Sequence, residues 1–328
     1  MPKVSICIPS YNGSQTLRET LENLISQIAD GVEIVICDDR SRDDTFLMAK
    51  EYEKKYPFVR AFQNEKNLGM DRNFAQAVAH ATGEFVWLSG QDDIFGAGAI
   101  SKFFDIVKNH PDVKLMYFNY QLLSGDLSKE VDSPPLSLES DMLFENSEQY
   151  FKVVNRAPSF LAATVMKREF WARTPIEIFL DTHYVQVGVW LQNCLNSKVY
   201  VVASPRFIGC RVPEDSWKYK SGQMLFEIFT GKYAVYKTVY DSNNSLVPES
   251  VIKDMEHDYF HRFIRKTIIF KSTGFVPDDK FVRIFSSLVR SKIALHFYYL
   301  PILHFPKQLA SVIYKLYLVF RKFKPLPI

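Results

Sequence analysis

Four short apolar runs open the chain, each followed by a polar cluster and then by a stretch with helical spacing. Val4 to Ile8, Val32 to Cys37, Phe58 to Phe62 and Phe85 to Leu88 have the length and the β-branched or aromatic content of buried strands. Between the first two, Leu17, Leu21, Leu24, Ile25 and Ile28 fall on one face of a helix that Ser14 is placed to cap. A second helix runs to about Lys55, where Pro57 stops it, and a small-residue helix spans about Asp71 to Ala81. Strands alternating with helices of this length predict βαβ units and a mostly parallel sheet. Further on, a helix near 98–109 precedes a strand over Val113 to Asn119. Residues 123–148 are polar and contain Pro134-Pro135, which predicts a long excursion over the strand ends rather than core. An apolar helix through Leu195, closing strands at Val199 to Ala203 and Phe207 to Cys210, and a mainly helical remainder from about Gln223 complete the pattern.

In parallel sheets of this kind, ligands bind where the strands' carboxyl ends deliver their loops. Here those ends carry Tyr11-Asn12, Asp38-Asp39, Asn67-Leu68-Gly69 and Asp92-Asp93. Adjacent carboxylates leaving a buried strand repel each other unless a cation or a set of donors lies between them. Mg²⁺ or Mn²⁺ is bound by one or two carboxylates, with substrate phosphates completing the shell. The bland reading of each loop is a turn or a strand stop; their convergence on one edge is what gives them weight. The sequence has neither GxGxxG after the first strand nor GxxxxGK[ST] anywhere, which disfavours dinucleotide and P-loop chemistry.

Composition changes the picture in one respect. At 328 residues, 47% hydrophobic and 23% charged, the chain has enough for one large globular domain with an appendage. Its four cysteines show no CxxC spacing, and reduced thiols are expected. The charge is uneven. From Lys280 onward there are nine Lys and Arg and no acid, while the preceding 279 residues carry a net charge of −6. A basic tail on an acidic body points to an anionic surface. Within it, Leu309, Val312, Ile313, Leu316, Phe320 and Phe323 share a helical face opposite Ser311, Lys315 and Lys322. The tail either lies on a membrane or packs against the domain with a solvated basic face. With no signal-peptide pattern and no apolar stretch long enough to span a bilayer, a cytoplasmic protein, peripheral on the inner membrane, is expected.

Val4-Ser5-Ile6-Cys7-Ile8-Pro9-Ser10-Tyr11-Asn12, Val35-Ile36-Cys37-Asp38-Asp39-Arg40-Ser41, Asn67-Leu68-Gly69 through Arg72-Asn73, and Gln91-Asp92-Asp93 follow one another at a characteristic spacing. Together they resemble the family 2 glycosyltransferases with the GT-A fold, over about the first 95 residues. Arg211 to Trp217 is a weaker echo of the abequosyltransferase-like members that build bacterial surface polysaccharides such as O-antigen and capsule. The resemblance implies an α/β fold, Rossmann-like, with a mixed, mostly parallel sheet flanked by helices. It implies a GT-A domain at residues 1–222, with a nucleotide-sugar half (1–110) and an acceptor half (111–222), followed by a basic amphipathic helical extension at 223–328.

By position, it implies that Pro9, Tyr11, Asn12, Asp39, Asn67, Gly69, Arg72, Asp92 and Arg211 contact the nucleotide sugar, and that Asp92 and Asp93 hold Mg²⁺ or Mn²⁺. The family usually writes Asp-x-Asp at the metal loop, and Gly90 stands at the first of those positions. The implied activity is inverting transfer from a nucleotide-diphosphate donor to a polyprenyl-diphosphate-linked oligosaccharide; no nucleic acid is expected as partner. The alternative is a catalytically decayed nucleotide-sugar-binding or scaffolding protein at the membrane.

Inverting transfer needs a general base. The family's position for it falls at Asp181, which either acts as base or caps the apolar helix that follows. His183 either serves as base or orients Asp181, with Glu214 and Asp215 in reserve. Arg211 either reaches the diphosphate or pairs on the surface. His257 and His261, four apart, form a metal pair or, far more commonly, part of an exposed helix face.

Overall fold

A computed structural model describes residues 2–132, 135–212, 222–243, 247–272, 275–289 and 291–321. The four opening runs form strands β1 (Val4–Ser10), β2 (Val32–Asp38), β3 (Val59–Gln63) and β4 (Phe85–Leu88), with helices α1 (Ser14–Ile25), α2 (Thr45–Lys55) and α3 (Met70–Ala79) between them. Gly13, not Ser14, occupies the N-cap position of α1, and no side chain caps there. β1 pairs in parallel with β2 and β4, and β2 with β3. All seven residues of both β1 and β2 are buried, which is why they read as apolar runs rather than as alternations.

The sheet continues beyond β4 through β10 (Thr164–Lys167), β6 (Val113–Phe118), β11 (Lys198–Val202) and β9 (Met142–Phe144), in the order β3-β2-β1-β4-β10-β6-β11-β9. β10 runs antiparallel to both of its neighbours, so the sheet is mixed. A second sheet, unforeseen in the sequence, orders β5 (Ile94–Phe95), β12 (Ile208–Val212), β7 (Tyr120–Ser124) and β8 (Glu130–Asp132). The expected excursion at 123–148 is therefore partly structured: it supplies β8, β9 and the buried side chains Leu136 and Phe144.

Helices α4 (Ala99–Asn109), α5 (Ser147–Val154), α6 (Glu169–Arg173) and α7 (Val185–Cys194) flank the sheet. Long helices at Gly222–Ser242 and Glu249–Ser272 follow. Val235, Tyr236, Val239, Val251 and Ile252 from these two helices join the same core cluster as Trp190 and Tyr150. These two helices thus share a core with the sheet and its flanking helices. A separate cluster around Tyr259, Phe263 and Phe285 belongs to the helical region alone.

Candidate active site

At the carboxyl ends of β1, β2 and β4 lies a cleft of about 570 Å³, lined by Pro9, Tyr11, Asp39, Asn67, Gly69, Asn73, Gly90, Gln91, Asp92, His183 and Glu227 among others. Six of the residues expected at the nucleotide sugar are therefore together: Pro9, Tyr11, Asp39, Asn67, Gly69 and Asp92. Two residues tie the strand ends into one rim. Asn73 donates through Nδ2 to the Cys37 carbonyl at 3.1 Å and accepts from Asn64 at 3.0 Å. Gln91 mimics a strand neighbour, accepting from the Tyr11 N–H at 3.0 Å and donating to the Tyr11 carbonyl at 3.2 Å.

Asp39 is buried, and its two oxygens accept from the backbone N–H groups of Leu68 (2.8 Å) and Gly69 (2.9 Å). Its first structural task is thus to fix the Asn67-Leu68-Gly69 loop. Asn64 Nδ2 also donates to Oδ1, at 2.8 Å; with two lone pairs on each carboxylate oxygen, the capacity left for a ligand donor is on Oδ2.

The Asp92-Asp93 pair divides. Asp92 lines the cleft, whereas Asp93 is 3% exposed and turns inward, its Oδ2 accepting from the Gly90 N–H at 2.6 Å. Burial first, and the neighbouring Asp92 charge second, push the Asp93 carboxyl well above the usual carboxylate range. The geometry also accounts for the departure at Gly90. A Cβ there would stand 2.7 Å from Asp93 Oδ2 and 3.0 Å from Asp92 Oδ1. An acid at position 90 would displace the inward carboxylate.

Three expected contacts lie elsewhere. Asn12 is absorbed in its own loop, its N–H donating to Ser41 Oγ at 2.9 Å and its Oδ1 accepting from the Arg42 N–H at 2.8 Å. Arg211 forms an ion pair with Glu19 and donates to the Gly125 carbonyl at 3.2 Å, so it takes the pairing role left open above. Arg72 is held by Asp181, at 2.7 and 3.4 Å. Asp181 does not line the cleft; it borders a small adjoining cavity of about 20 Å³ with Thr182, Glu227, Thr230 and Gly231. Nor does it cap α7. The buried Asp71 does, accepting from the N–H groups of His183 at 2.9 Å and Val185 at 3.2 Å.

Asp181 and His183 both adopt left-handed backbone conformations, φ +67° and +66°. Non-glycine residues enter that region at a cost, and such strain gathers at functional sites. Asp71 holds the loop there from below, and the Gly222–Ser242 helix closes on it from above. A Cβ on Gly231 would meet the Thr182 carbonyl oxygen at 1.8 Å, so only glycine permits that crossing. One turn earlier on the same helix face, Glu227 brings Oε2 to 3.3 Å from His183 Nε2. Sequence reasoning missed Glu227, Gln91 and Asp71. The spacing of Glu227 four before Gly231 was the one local signal. His257 and His261 lie on the exposed face of Glu249–Ser272, and among the described residues no three metal-binding side chains cluster. Glu214 and Asp215 fall outside the described residues.

Residues 5–163 match the model for Glycosyl transferase family 2. The chain carries a family 2 glycosyltransferase domain. It is 27% identical over 261 residues to the abequosyltransferase RfbV of Salmonella typhimurium, covering 74% of this chain and 77% of that one. It is 26% identical over 166 residues to the GalNAc(5)-diNAcBac-PP-undecaprenol beta-1,3-glucosyltransferase of Campylobacter jejuni, covering 48% and 53%. Among solved structures, S. aureus TarS 1-349 in complex with UDP superposes with a TM-score of 0.58 at 17% identity, over 94% of this chain and 88% of that one. The glycosyltransferase thus has the GT-A architecture expected of it, a mixed sheet with flanking helices and a helical C-terminal region.

Proposed function

We propose that this glycosyltransferase moves a sugar from a nucleoside diphosphate to a glycan carried on a polyprenyl diphosphate, in bacterial surface-polysaccharide synthesis at the cytoplasmic face of the inner membrane. One observation carries the reading: Asp92 shares a single cleft with Pro9, Tyr11, Asp39 and Asn67, at the ends of adjacent parallel strands. The volume suits a nucleotide sugar. A relative whose name specifies an undecaprenol-linked substrate supports the acceptor class.

Asp92 fits a Mg²⁺ or Mn²⁺ held by one carboxylate and by diphosphate oxygens; Asp93, turned onto Gly90, does not. Such an ion would neutralise charge on the departing diphosphate. In a single inverting displacement, the acceptor oxygen bonds to the anomeric carbon as the bond to the diphosphate breaks. The acceptor's proton then needs a base. His183 is the titratable side chain in the cleft best placed for this: the Glu227 carboxylate accepts from Nε2–H, which leaves Nδ1 to take the proton. Asp181 could take that role only if its pair with Arg72 opened. That ion pair also favours a second reading, nucleotide-sugar binding without transfer.

Thermal unfolding against a panel of UDP-, GDP-, CDP- and dTDP-sugars, with and without Mn²⁺, tests both readings. The expected result is stabilisation by one donor, dependent on metal in the wild type and lost in Asp92→Ala. No shift with any nucleotide sugar would sink the donor site. A shift without release of nucleoside diphosphate in the presence of membrane-extracted acceptor selects the second reading.

A further inference from the structure

The last described helix, Lys307–Arg321, packs on Glu249–Ser272, yet of its residues 307–316 only Ala310 is buried. Leu309, Val312, Ile313 and Leu316 are 41–55% exposed. Their spacing of three, four and seven residues puts them in one stripe on the outer face. The adjoining segment adds Ile293 and Phe297, four apart, at 75% and 83% exposure. Single apolar side chains on a surface are ordinary, but contiguous ones mark a contact surface. Lys292, Lys307 and Lys315 on the same elements are exposed as well.

What covers this face is decided by charge. From residue 280 to the end the sequence has nine Lys and Arg and no acid. A protein partner would need a matching acidic rim, whereas a bilayer rich in anionic lipid supplies both an apolar layer and a negative surface. No helix among the described residues is long and apolar enough to cross a membrane, so the contact is interfacial.

We propose that the Lys307–Arg321 helix and the neighbouring Lys292–Tyr299 turns lie in the surface of an anionic bilayer, with the Leu309–Leu316 stripe at the acyl boundary and the lysines at the headgroups. The proposal rests on the lipid-linked acceptor only for its purpose, since the docking stands whatever the cleft binds.

The test is flotation of the full chain with vesicles of phosphatidylglycerol and phosphatidylethanolamine, against phosphatidylcholine alone. The expected result is flotation with the anionic vesicles only, weakened several-fold between 100 and 500 mM salt. Leu309→Asp with Ile313→Asp, and separately Lys307→Glu with Lys315→Glu, should each reduce partition at least tenfold while leaving thermal unfolding unchanged. Failure of the wild type to float, or variants that float as well as it does, overturns the proposal. So does a wild-type dimer that Ile313→Asp dissociates, because a second copy would then cover the stripe, and so does binding to a DNA duplex in place of vesicles. Donor-induced stabilisation measured on the same samples keeps the two readings apart: its loss alone refutes the cleft, and loss of flotation alone refutes the docking face.

Discussion

Two buried carboxylates at opposite ends of the main sheet, Glu33 at the amino end and Asp93 at the carboxyl end, are treated in opposite ways. At the amino end, Glu33 on β2 collects Ser5 Oγ at 2.5 Å, Thr82 N–H at 2.6 Å, Thr82 Oγ1 at 2.8 Å and Gly83 N–H at 3.2 Å, with Arg60 at 3.5 Å. Burial would raise this carboxyl, but the donors and the guanidinium outweigh it and hold it below its ordinary value. At the carboxyl end, Asp93 has one N–H and a neighbouring anion, and its carboxyl is driven up. A satisfied carboxylate locks strands together. A carboxylate pressed against a neighbouring anion beside an open cleft is where a cation has something to gain.

The sharpest way to break this contrast is to remove one carboxylate from each end. Asp92→Ala should lower sugar transfer by about 10²–10³-fold, the range seen when a group that stabilises developing charge is deleted. Its unfolding temperature without ligand should stay within a degree or so of wild type. Transfer at the wild-type rate would show that the outward carboxylate is incidental. Glu33→Ala should do the reverse. It strands the donors of Ser5, Thr82 and Gly83, at a cost of about 3 kcal/mol in denaturant unfolding. Donor binding by the folded fraction should be unchanged.

A further pair of substitutions separates the two base candidates. His183→Asn should reduce kcat by about 100-fold with donor affinity retained, and should remove the acidic limb of the kcat profile. Asp181→Asn frees Arg72 and should weaken transfer less. If Asp181→Asn is the more damaging and the His183→Asn profile keeps its limb, the base is Asp181 and the ion pair opens during turnover.

The sequence made the two sheet ends unequally legible. β1, β2 and β4 and their polar loops were plain, because strands buried on both faces must be apolar throughout and their exits must be polar. The clustering of Tyr11, Asp39, Asn67 and Asp92 followed from topology alone. The second sheet was hidden, because a two-residue strand such as Ile94–Phe95 has no period to detect. Partnerships across long separations were hidden too. Asp71 caps a helix that begins 114 residues later, and Glu227 meets a histidine 44 residues before it. Arg211 is as plausible beside a diphosphate as beside Glu19 until the fold brings Glu19 to it. Glu33 was passed over inside the run Val32 to Cys37, because the donors that satisfy it come from β1 and from the turn before β4.

The mildest perturbation of the contrast is pH, and its sign is fixed by the direction of the Glu33 shift. Because the carboxyl titrates lower when folded than when unfolded, the folded state releases its proton more readily. Its stabilisation is complete above the unfolded value of about 4.3, and it drains away as pH falls through the folded value. Glu33→Gln keeps one acceptor oxygen but has no charge to lose. The gap in unfolding temperature between wild type and Glu33→Gln should therefore be constant from pH 7 to about pH 5 and close as the pH falls further. A gap that stays undiminished from pH 5 to pH 3 would mean that Glu33 acts there through shape and neutral hydrogen bonds, and that its charge contributes nothing to joining the strands. In that case the amino end of the sheet would differ from the carboxyl end in packing alone.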